Sequence, residues 1–388
     1  MNQDARLSKV IDTMRLPLIY LVVIAHLVPF TLEKVNFSFI GDDFFVLVSE
    51  MFSHHVAKLS VRCYFLVSGY YFFKHYAGNL RSFLKRQYKS RFRTLLKPYL
   101  IWNSIAFLAF IFKNKIFISM GLSAEPEFAT LKESSLLYMF WSGPWNFPLW
   151  FVRDLICMIL ISPLILYFIK YLKHYGVILL AILYLTQIGK DIPGFSLTAI
   201  FFFSLGAYFS LEKKNMLQLF YQLKIPAFIL AIVFLFTALK YNPEPSHEYF
   251  VRLFILFGVI TTFNLFAYLN DNYPFMNKLT GFSSLSFFIY VIHEVYIINW
   301  LKGFFYNLSL YDNLWMKYLA YWTIPVICIA IIAAIYYSMM KLTPRLFVSS
   351  LGDRIPEYNK VEEVFKNEKN TVLESTALKE PQMEKSRV

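Results

Sequence analysis

Charged residues are scarce in this sequence. Only 16% of its 388 residues are Asp, Glu, Lys or Arg, whereas 57% are hydrophobic and 20% are aromatic. The core of one soluble domain cannot bury this much apolar surface. The composition therefore argues against an ordinary soluble protein and predicts that lipid covers much of the chain.

Cysteine is also rare, and the usual motifs of soluble enzymes are missing. The three cysteines, Cys63, Cys157 and Cys328, lie in apolar stretches without metal-ligand spacing, and an odd number does not fit a disulfide framework. They are expected to be buried packing residues, and no bound metal is expected. No Walker loop, GxGxxG, HExxH or GxSxG motif occurs. Functional residues must therefore be sought among polar side chains inside apolar segments.

Apolar segments recur along most of the chain. They predict an all-α polytopic membrane protein of about ten transmembrane helices. The predicted spans cover residues 16–33, 50–73, 95–113, 148–169, 176–189, 194–211, 225–240, 250–269, 283–302 and 318–340. Residues 1–350 are interpreted as a transmembrane domain. Residues 351–388 are charged and poor in aromatic residues, and are interpreted as a disordered cytoplasmic tail.

The basic residues behind the formal net charge of +13 form short clusters between the apolar segments. They do not line one polar face, so no nucleic-acid partner is expected. With the N-terminus inside, the inner connections hold about 20 Lys and Arg against about 9 in the outer ones. The most basic inner connection is 74–97. We therefore expect a multi-pass protein of the inner (cytoplasmic) membrane, in contact with membrane lipid, with both termini in the cytoplasm.

Two polar residues stand out on the first predicted helix. Arg15 and His26 are eleven residues apart. On an α-helix this spacing places the two side chains on nearly the same face, about 16 Å apart along the axis. An imidazole can exchange a proton with an alcohol, and a fixed cation suits phosphate. The structural alternative is an arginine that extends to the interface and a hydrogen-bonded packing histidine.

The second predicted span carries His54, Lys58 and Arg62 at intervals of four residues. Such a polar stripe is too costly to face lipid, so it should face the bundle interior or a cavity. Two explanations fit this stripe. Its residues form structural ion pairs, or they line a site for an anionic substrate. Both interpretations stay open at this stage.

Two further polar pairs lie in predicted spans. Arg153 and Asp154 are neighbours whose side chains point about 100° apart on a helix and need not pair with each other, so Glu50 is taken as a candidate partner for Arg153. His293 and Glu294 form a second titratable pair. Intramembrane ionisable residues are functional candidates by default.

Taken together, these segments resemble the acyltransferase-3 family. Its first helix carries an Arg-x10-His motif, which stands here as Arg15-LPLIYLVVIA-His26. Similar segments follow in the family's order: FLVSGYYFF at 65–73, RFRTLLKPYLIWN at 91–103, PLWFVRDL at 148–155 and SFFIYVIHEVY at 286–296. The resemblance covers most of residues 10–345. The basic loop departs from the family's Arg-x-x-Arg pattern. If Arg91 is the first arginine of that pattern, the second position holds Thr94, and Arg93 stands one place earlier.

The resemblance implies about ten helices, acyl-CoA as donor, with acetyl-CoA expected, and a hydroxyl of a cell-envelope glycan or its lipid-linked precursor as acceptor. It implies that His26 is catalytic and that Arg15 is its companion. Coenzyme A carries several phosphates, so Arg86, Arg91 and Arg93 are the expected donor-binding residues. The remaining candidates for lining the site are His54, Lys58, Arg62, Trp150, Arg153, His293 and Glu294. The sequence does not give the oligomeric state.

Two other functions fit the same composition. A transporter or flippase of a lipid-linked sugar would also need aromatic, charge-bearing helices around a cavity. The absence of a clear internal repeat or of paired Gly/Pro-broken helices weakens that alternative. In a non-catalytic scaffold or sensor, the buried charges would be structural pairs, and replacing His26 would affect stability rather than chemistry.

Overall fold

The computed structural model describes residues 3–29, 32–129, 135, 138–186, 191–308 and 313–354. This part of the chain is helical and contains no strand beyond an isolated bridge between Ile192 and Phe195. The all-α prediction is therefore confirmed. The predicted tail lies outside the described residues from residue 355 onward.

The first half of the bundle contains eight α-helices joined by shorter π-helical and 3-10 segments. They are α1 (Gln3–Ala25), α2 (Gly41–Ser49), α3 (Lys58–Phe73), α4 (Leu80–Arg91), α5 (Lys97–Ser119), α6 (Pro126–Ala129), α7 (Trp150–Leu160) and α8 (Ser162–Thr186). The π-helical segments are Glu50–Val56, Phe92–Leu96 and Tyr138–Ser142, and Phe147–Leu149 forms a 3-10 turn.

The second half contributes eight more α-helices. They are α9 (Leu197–Leu211), α10 (Met216–Gln222), α11 (Lys224–Lys240), α12 (His247–Asn272), α13 (Ser283–Ile292), α14 (Ile298–Tyr306), α15 (Leu314–Leu342) and α16 (Pro344–Ser350). A 3-10 segment, Pro274–Phe282, precedes α13, and a π-helical segment, His293–Ile297, joins α13 to α14.

Several of these helices are long and apolar enough to cross a membrane, which makes the protein a multi-pass integral membrane protein. By length and composition, the described chain has five such helical stretches, or six if the pair α10 and α11, bent by 71°, is one span. The count of ten is not confirmed. The predicted span at 148–169 covers α7 and the start of α8, and the span at 176–189 covers the end of α8, which leaves helical geometry at Lys173. The apolar helix α9 is shorter than a membrane span.

Contacts between distant segments sort the connections into two groups. At one end of the bundle, Arg6 pairs with Asp271 at 2.6 Å, and the ammonium of Lys97 donates to the hydroxyl of Ser349. All four residues lie in or beside segments predicted to be inner. We call this the inner end of the bundle.

The predicted outer segments likewise meet one another. Lys317 pairs with Asp42 at 3.0 Å, and the amide of Asn242 donates to the carbonyl of Glu33 at 2.9 Å. This grouping is what alternating spans require. That the inner end faces the cytoplasm stays a prediction from the charge distribution.

The closest helix packing joins α3 to α9. A Cβ atom added at Gly69 would lie 2.0 Å from the carbonyl oxygen of Phe203, and one at Gly206 would lie 2.0 Å from that of Leu66. Small residues let membrane helices approach until their backbones touch. This contact fixes α3, which carries Lys58 and Arg62 near its start and lines the cavity described below from Cys63 onward.

Candidate active site

His26 lies immediately after the C-terminal end of α1. The Nζ atom of Lys302, on α14, donates to the His26 carbonyl at 2.8 Å and so satisfies one of the carbonyls left open at a helix end. The imidazole is only 10% exposed. The chain therefore holds this imidazole at a defined place in the outer half of the bundle.

Two ionisable residues from the segment after α13 surround this imidazole. The Nδ1 atom of His26 lies 3.9 Å from Oε1 of Glu294, and the ring centroids of His26 and His293 are 5.0 Å apart. His293 Nδ1 donates to the carbonyls of Ile289 and Tyr290, both at 3.0 Å. Its buried Nε2 has no hydrogen-bond partner within the described chain. The sequence placed all three residues among the site candidates, and the structure brings them together.

The helix breaks where it delivers these side chains. Val295 has ψ 81° and Tyr296 has φ 68°, in the left-handed region that bulky residues rarely occupy. Such backbone conformations cost free energy and are often found at functional sites. Beyond the break, α14 brings Lys302 to the end of α1.

A loop residue covers another side of His26. The ring of Phe147 lies 6.4 Å from the imidazole in an edge-to-face arrangement, and Phe147 is 47% exposed. The loop is fixed by the buried side chain of Asn146, whose amide donates to the carbonyl of Val291 at 2.8 Å. His26 is thus enclosed by protein on the α13 side and lies near an exposed aromatic residue on the other.

A cavity of about 400 Å³ opens along α1 on the inner side of His26. Along α1 its wall runs from Ile11 to Ile19, so it ends about 10 Å short of His26. It also reaches Tyr290, one helical turn before Glu294. Most of the lining is apolar; its charged groups are Arg15, Arg91 and Arg354, and its hydroxyls include Tyr64, Ser68, Thr94 and Tyr290.

Two of the predicted arginines line this cavity. Arg15 pairs with Asp12 at 3.2 Å, and the hydroxyl of Tyr64 donates to the backbone carbonyl of Arg15 at 3.0 Å. The buried Nε of Arg91 has no hydrogen-bond partner in the described part of the protein. The cavity therefore combines an apolar wall with fixed positive charge, as a ligand with an anionic end requires.

The other two predicted donor-binding residues lie elsewhere. Arg93 and Arg86 are exposed, and neither lines the cavity. Arg86 donates instead to the carbonyl of His75 at 3.3 Å. Their part in donor binding stays a prediction.

Comparison with known proteins shows the family of this chain. The profile of the acyltransferase-3 family, described as an acyltransferase domain, matches residues 9–349. The chain belongs to this family. It is therefore a membrane enzyme that transfers acyl groups, as the resemblance implied.

This family member is similar to a succinoglycan biosynthesis protein, ExoH, from Rhizobium meliloti (strain 1021). The two are 28% identical over 370 residues, which cover 90% of this chain and 94% of the relative. The alignment therefore extends through nearly the whole bundle. No solved structure matches the chain.

Within the acyltransferase, His54 belongs to a network that is separate from the cavity. Its Nδ1 lies 2.8 Å from Oε2 of Glu50, and its Nε2 donates to the carbonyl of Pro29 at 2.9 Å. Asn242 also donates to Oε2 of Glu50, at 2.8 Å. Both ring nitrogens of His54 are therefore used in holding the loop that follows His26.

Lys58 and Arg62 also lie away from the cavity. Lys58 Nζ is 3.8 Å from Oε2 of Glu248, and Arg252 is 3.6 Å from the other oxygen of that carboxylate. Arg62 donates to the carbonyl of Lys58 at 3.1 Å. On α3, the cavity is lined instead by Tyr64 and its neighbours. The structure groups the two cations with α12 rather than with His26.

The prediction that Glu50 pairs with Arg153 was wrong. Arg153 donates twice to Oδ1 of its neighbour Asp154, at 2.8 and 3.0 Å, because its long side chain can fold back across the 100° between them. It also donates to the carbonyls of Trp141 and Ser142. All the nitrogens of this guanidinium are occupied, so the pair holds α7 to the preceding loop.

Trp150, the last of the sequence candidates, begins α7. It is half-buried and packs against the apolar core. It does not line the cavity. Its predicted place in the site stays untested.

Two residues that contact the site were missed by the sequence analysis. Lys302 was taken as the edge of a span, and Arg354 was assigned to the tail. For Lys302 a signal exists, because it is two helical turns beyond Glu294 in a segment with few charges. For Arg354 the sequence offers none.

Glu50 gives a prediction about stability. Its buried carboxylate accepts from His54 and Asn242 and from the backbone N–H of Glu33 at 3.3 Å. Glu50→Ala leaves these donors unsatisfied, so we expect a loss of about 2–4 kcal/mol. The thermal midpoint of the detergent-purified protein measures it. Glu33→Gln is the control, because the described hydrogen bonds of Glu33 come from its backbone; equal midpoints for the two variants would contradict the network's role.

Proposed function

We propose that this acyltransferase moves an acetyl group from cytoplasmic acyl-CoA to a hydroxyl of a cell-envelope glycan or its lipid-linked precursor. The observation that carries the proposal is the arrangement along α1. An imidazole with a carboxylate 3.9 Å away stands at its outer end, and a cavity lined by guanidinium groups follows the same helix inward.

The cavity suits a coenzyme A thioester. Guanidinium groups form charge-assisted and bidentate hydrogen bonds with phosphate. The apolar wall between Arg15 and Tyr290 offers a path for the long pantetheine arm toward His26. The cavity ends about 10 Å short of His26, so the pantetheine arm would extend beyond it and bring the thioester to the imidazole.

The similarity to a succinoglycan biosynthesis protein supports a polysaccharide acceptor. A glycan outside the membrane would reach His26 from the outer end, where Phe147 is exposed. Donor and acceptor would thus approach the imidazole from opposite sides of the bundle. The predicted cytoplasmic position of both termini places the donor side in the cytoplasm.

His26 would act as a general base. In this form the imidazole carries its own proton on Nδ1, which faces Glu294. The lone pair on Nε2 takes the proton of the acceptor hydroxyl while the hydroxyl oxygen attacks the thioester carbonyl. A C–O bond forms, the C–S bond breaks, and the proton passes to the departing thiolate. In the alternative route, Nε2 attacks the thioester first: a C–N bond forms, the C–S bond breaks, and coenzyme A leaves as the thiolate. The acceptor hydroxyl then attacks this acyl-imidazole, so that a C–O bond forms, the C–N bond breaks, and Nε2 takes up the hydroxyl proton.

The test is transfer of radiolabel from acyl-CoA to glycan in membranes that contain the protein. Labelled acetyl-CoA and succinyl-CoA are compared, with membranes from the same cells lacking the protein as control. We expect label in the glycan fraction from acetyl-CoA only when the protein is present. Label from succinyl-CoA alone would overturn the choice of acetyl. Movement of a lipid-linked sugar without any thioester would overturn acyl-CoA as the donor.

Rapid quenching separates the two chemical routes. The protein is mixed with labelled acetyl-CoA in the absence of acceptor. Label that attaches to the protein and is lost in His26→Ala indicates an acyl-imidazole. A direct attack by the acceptor predicts no labelled protein.

A further inference from the structure

The last described residues do not leave the bundle after α16. They turn back over the basic segment between α4 and α5, where Gly352 has φ 73°. A Cβ atom at Gly352 would lie 2.8 Å from the Cα of Thr94 and 2.9 Å from its carbonyl oxygen. Only glycine fits this backbone conformation and this close approach, so the turn is built to lie against Thr94.

This turn places the side chain of Arg354 in the wall of the cavity. Its guanidinium stacks on the ring of Phe287 at 3.8 Å from the centroid and donates to the carbonyl of Leu351. Phe287 itself lines the same cavity. The side chain is therefore fixed by an aromatic face and by a hydrogen bond, and its orientation is set before any ligand arrives.

The charges around Arg354 are unbalanced. Arg15 and Arg91 line the same cavity, and among the described ion pairs the three guanidiniums have a single carboxylate, Asp12 beside Arg15. Burial, followed by the positive charges of Arg15 and Arg91, lowers the pKa of Arg354 to about 10. The group remains charged at neutral pH. Three like charges at one cavity are unfavourable without a ligand, and an anion with several charges relieves this repulsion.

We propose that Arg354 is a donor-binding residue that contacts a phosphate of the coenzyme A moiety together with Arg15 and Arg91. This inference rests on the proposed donor. The residue lies beyond 349, where the match to the family profile ends. The C-terminal turn is thus part of the donor site rather than the start of a tail.

The experiment measures binding of coenzyme A to the purified full-length protein in detergent. Arg354→Gln removes the charge and keeps most of the side chain. We expect the Kd to rise about 10- to 100-fold, as for loss of charge-assisted hydrogen bonds. Arg345→Gln is the matched control, because Arg345 is an exposed arginine on α16 outside the cavity; its Kd should equal that of the wild type.

A phosphate-free donor distinguishes contact with phosphate from a structural role. With S-acetylpantetheine, Arg354→Gln and the wild type should have the same KM and kcat, whereas with acetyl-CoA the KM of the variant should rise. An equal loss with both donors would mean that Arg354 only supports the fold and would overturn the inference. Arg354→Lys, which keeps the charge, provides the same comparison if the glutamine variant does not fold.

The outcomes for the two proposals are distinct. Wild-type protein that binds neither coenzyme A nor acetyl-CoA would overturn the proposed donor and this inference with it. Wild-type binding that Arg354→Gln leaves unchanged would overturn the inference alone and leave acyl-CoA as donor.

Discussion

Replacing His26 by glutamine is expected to lower the rate of acyl transfer by about 100- to 10,000-fold, the usual contribution of a general base. Glutamine keeps a polar side chain of similar length but cannot accept a proton at neutral pH. The backbone carbonyl of His26 keeps its bond from Lys302, so the end of α1 should stay in place. The measurement is the initial rate of label transfer from acetyl-CoA at equal amounts of folded protein.

His174→Gln is the matched control, because His174 is exposed on α8 and far along the chain from the site. It should retain the wild-type rate. Binding of coenzyme A to His26→Gln should also be unchanged, since the cavity ends about 10 Å before His26. Transfer that continues at the wild-type rate in His26→Gln would contradict the catalytic role. A lower thermal midpoint with an unchanged rate per folded molecule would favour the structural role instead.

Four buried or half-buried polar residues differ in how fully their nitrogens are paired. Arg153 and His54 use all their ring or guanidinium nitrogens in protein contacts, which is how structural residues in lipid are stabilised. In contrast, Nε2 of His293 and Nε of Arg91 have no partner in the described chain. Unsatisfied buried groups are costly. Within the described chain they also occur away from the cavity, as at Nε of Arg62 and Oδ1 of Asn242, so the site is identified by its geometry and not by unpaired atoms alone.

The sequence predicted the helical class, the candidate histidine and both members of the His293–Glu294 pair. Helical periodicity is enough to place Arg15 and His26 on one line. It cannot show that residue 294 lies beside residue 26, because that contact depends on how two segments far apart in the sequence pack together. The network around Glu50 was missed because it joins Glu50 to Asn242, 192 residues later in the sequence.

The donor side shows a second limit of sequence reasoning. Arg91 and Arg93 are equally basic in the sequence, yet only Arg91 lines the cavity. Two residues apart on a helix, these side chains point about 200° apart, so only one of them can face the cavity, and the packing of the surrounding helices decides which. Arg354 lies in a stretch of charged composition, and only the position of Gly352 against Thr94 brings it back to the bundle.

The carboxylate of Glu294 is expected to be the second most sensitive group. Glu294→Gln should lower kcat by about 100-fold while the KM for acetyl-CoA stays within about twofold, because the carboxylate orients the imidazole and stabilises its protonated form rather than binding donor. At 3.9 Å from Nδ1 the pair is longer than a hydrogen bond. Catalytic hydrogen bonds of this kind often tighten only when substrate is bound.

Glu244→Gln is the matched control, since Glu244 is exposed in an outer loop. Glu294→Asp adds a test of position: it keeps the charge on a shorter side chain, so its kcat should lie between those of the wild type and Glu294→Gln. If Glu294 instead supported the fold through the nearby ammonium of Lys302, Glu294→Gln would have a lower thermal midpoint and a higher KM as well as a lower kcat. Because Lys302 also holds the carbonyl of His26, Lys302→Met should lower both stability and rate, and only Glu294→Gln should change kcat alone. That difference would assign the carboxylate to the chemistry and the ammonium to the support of α1.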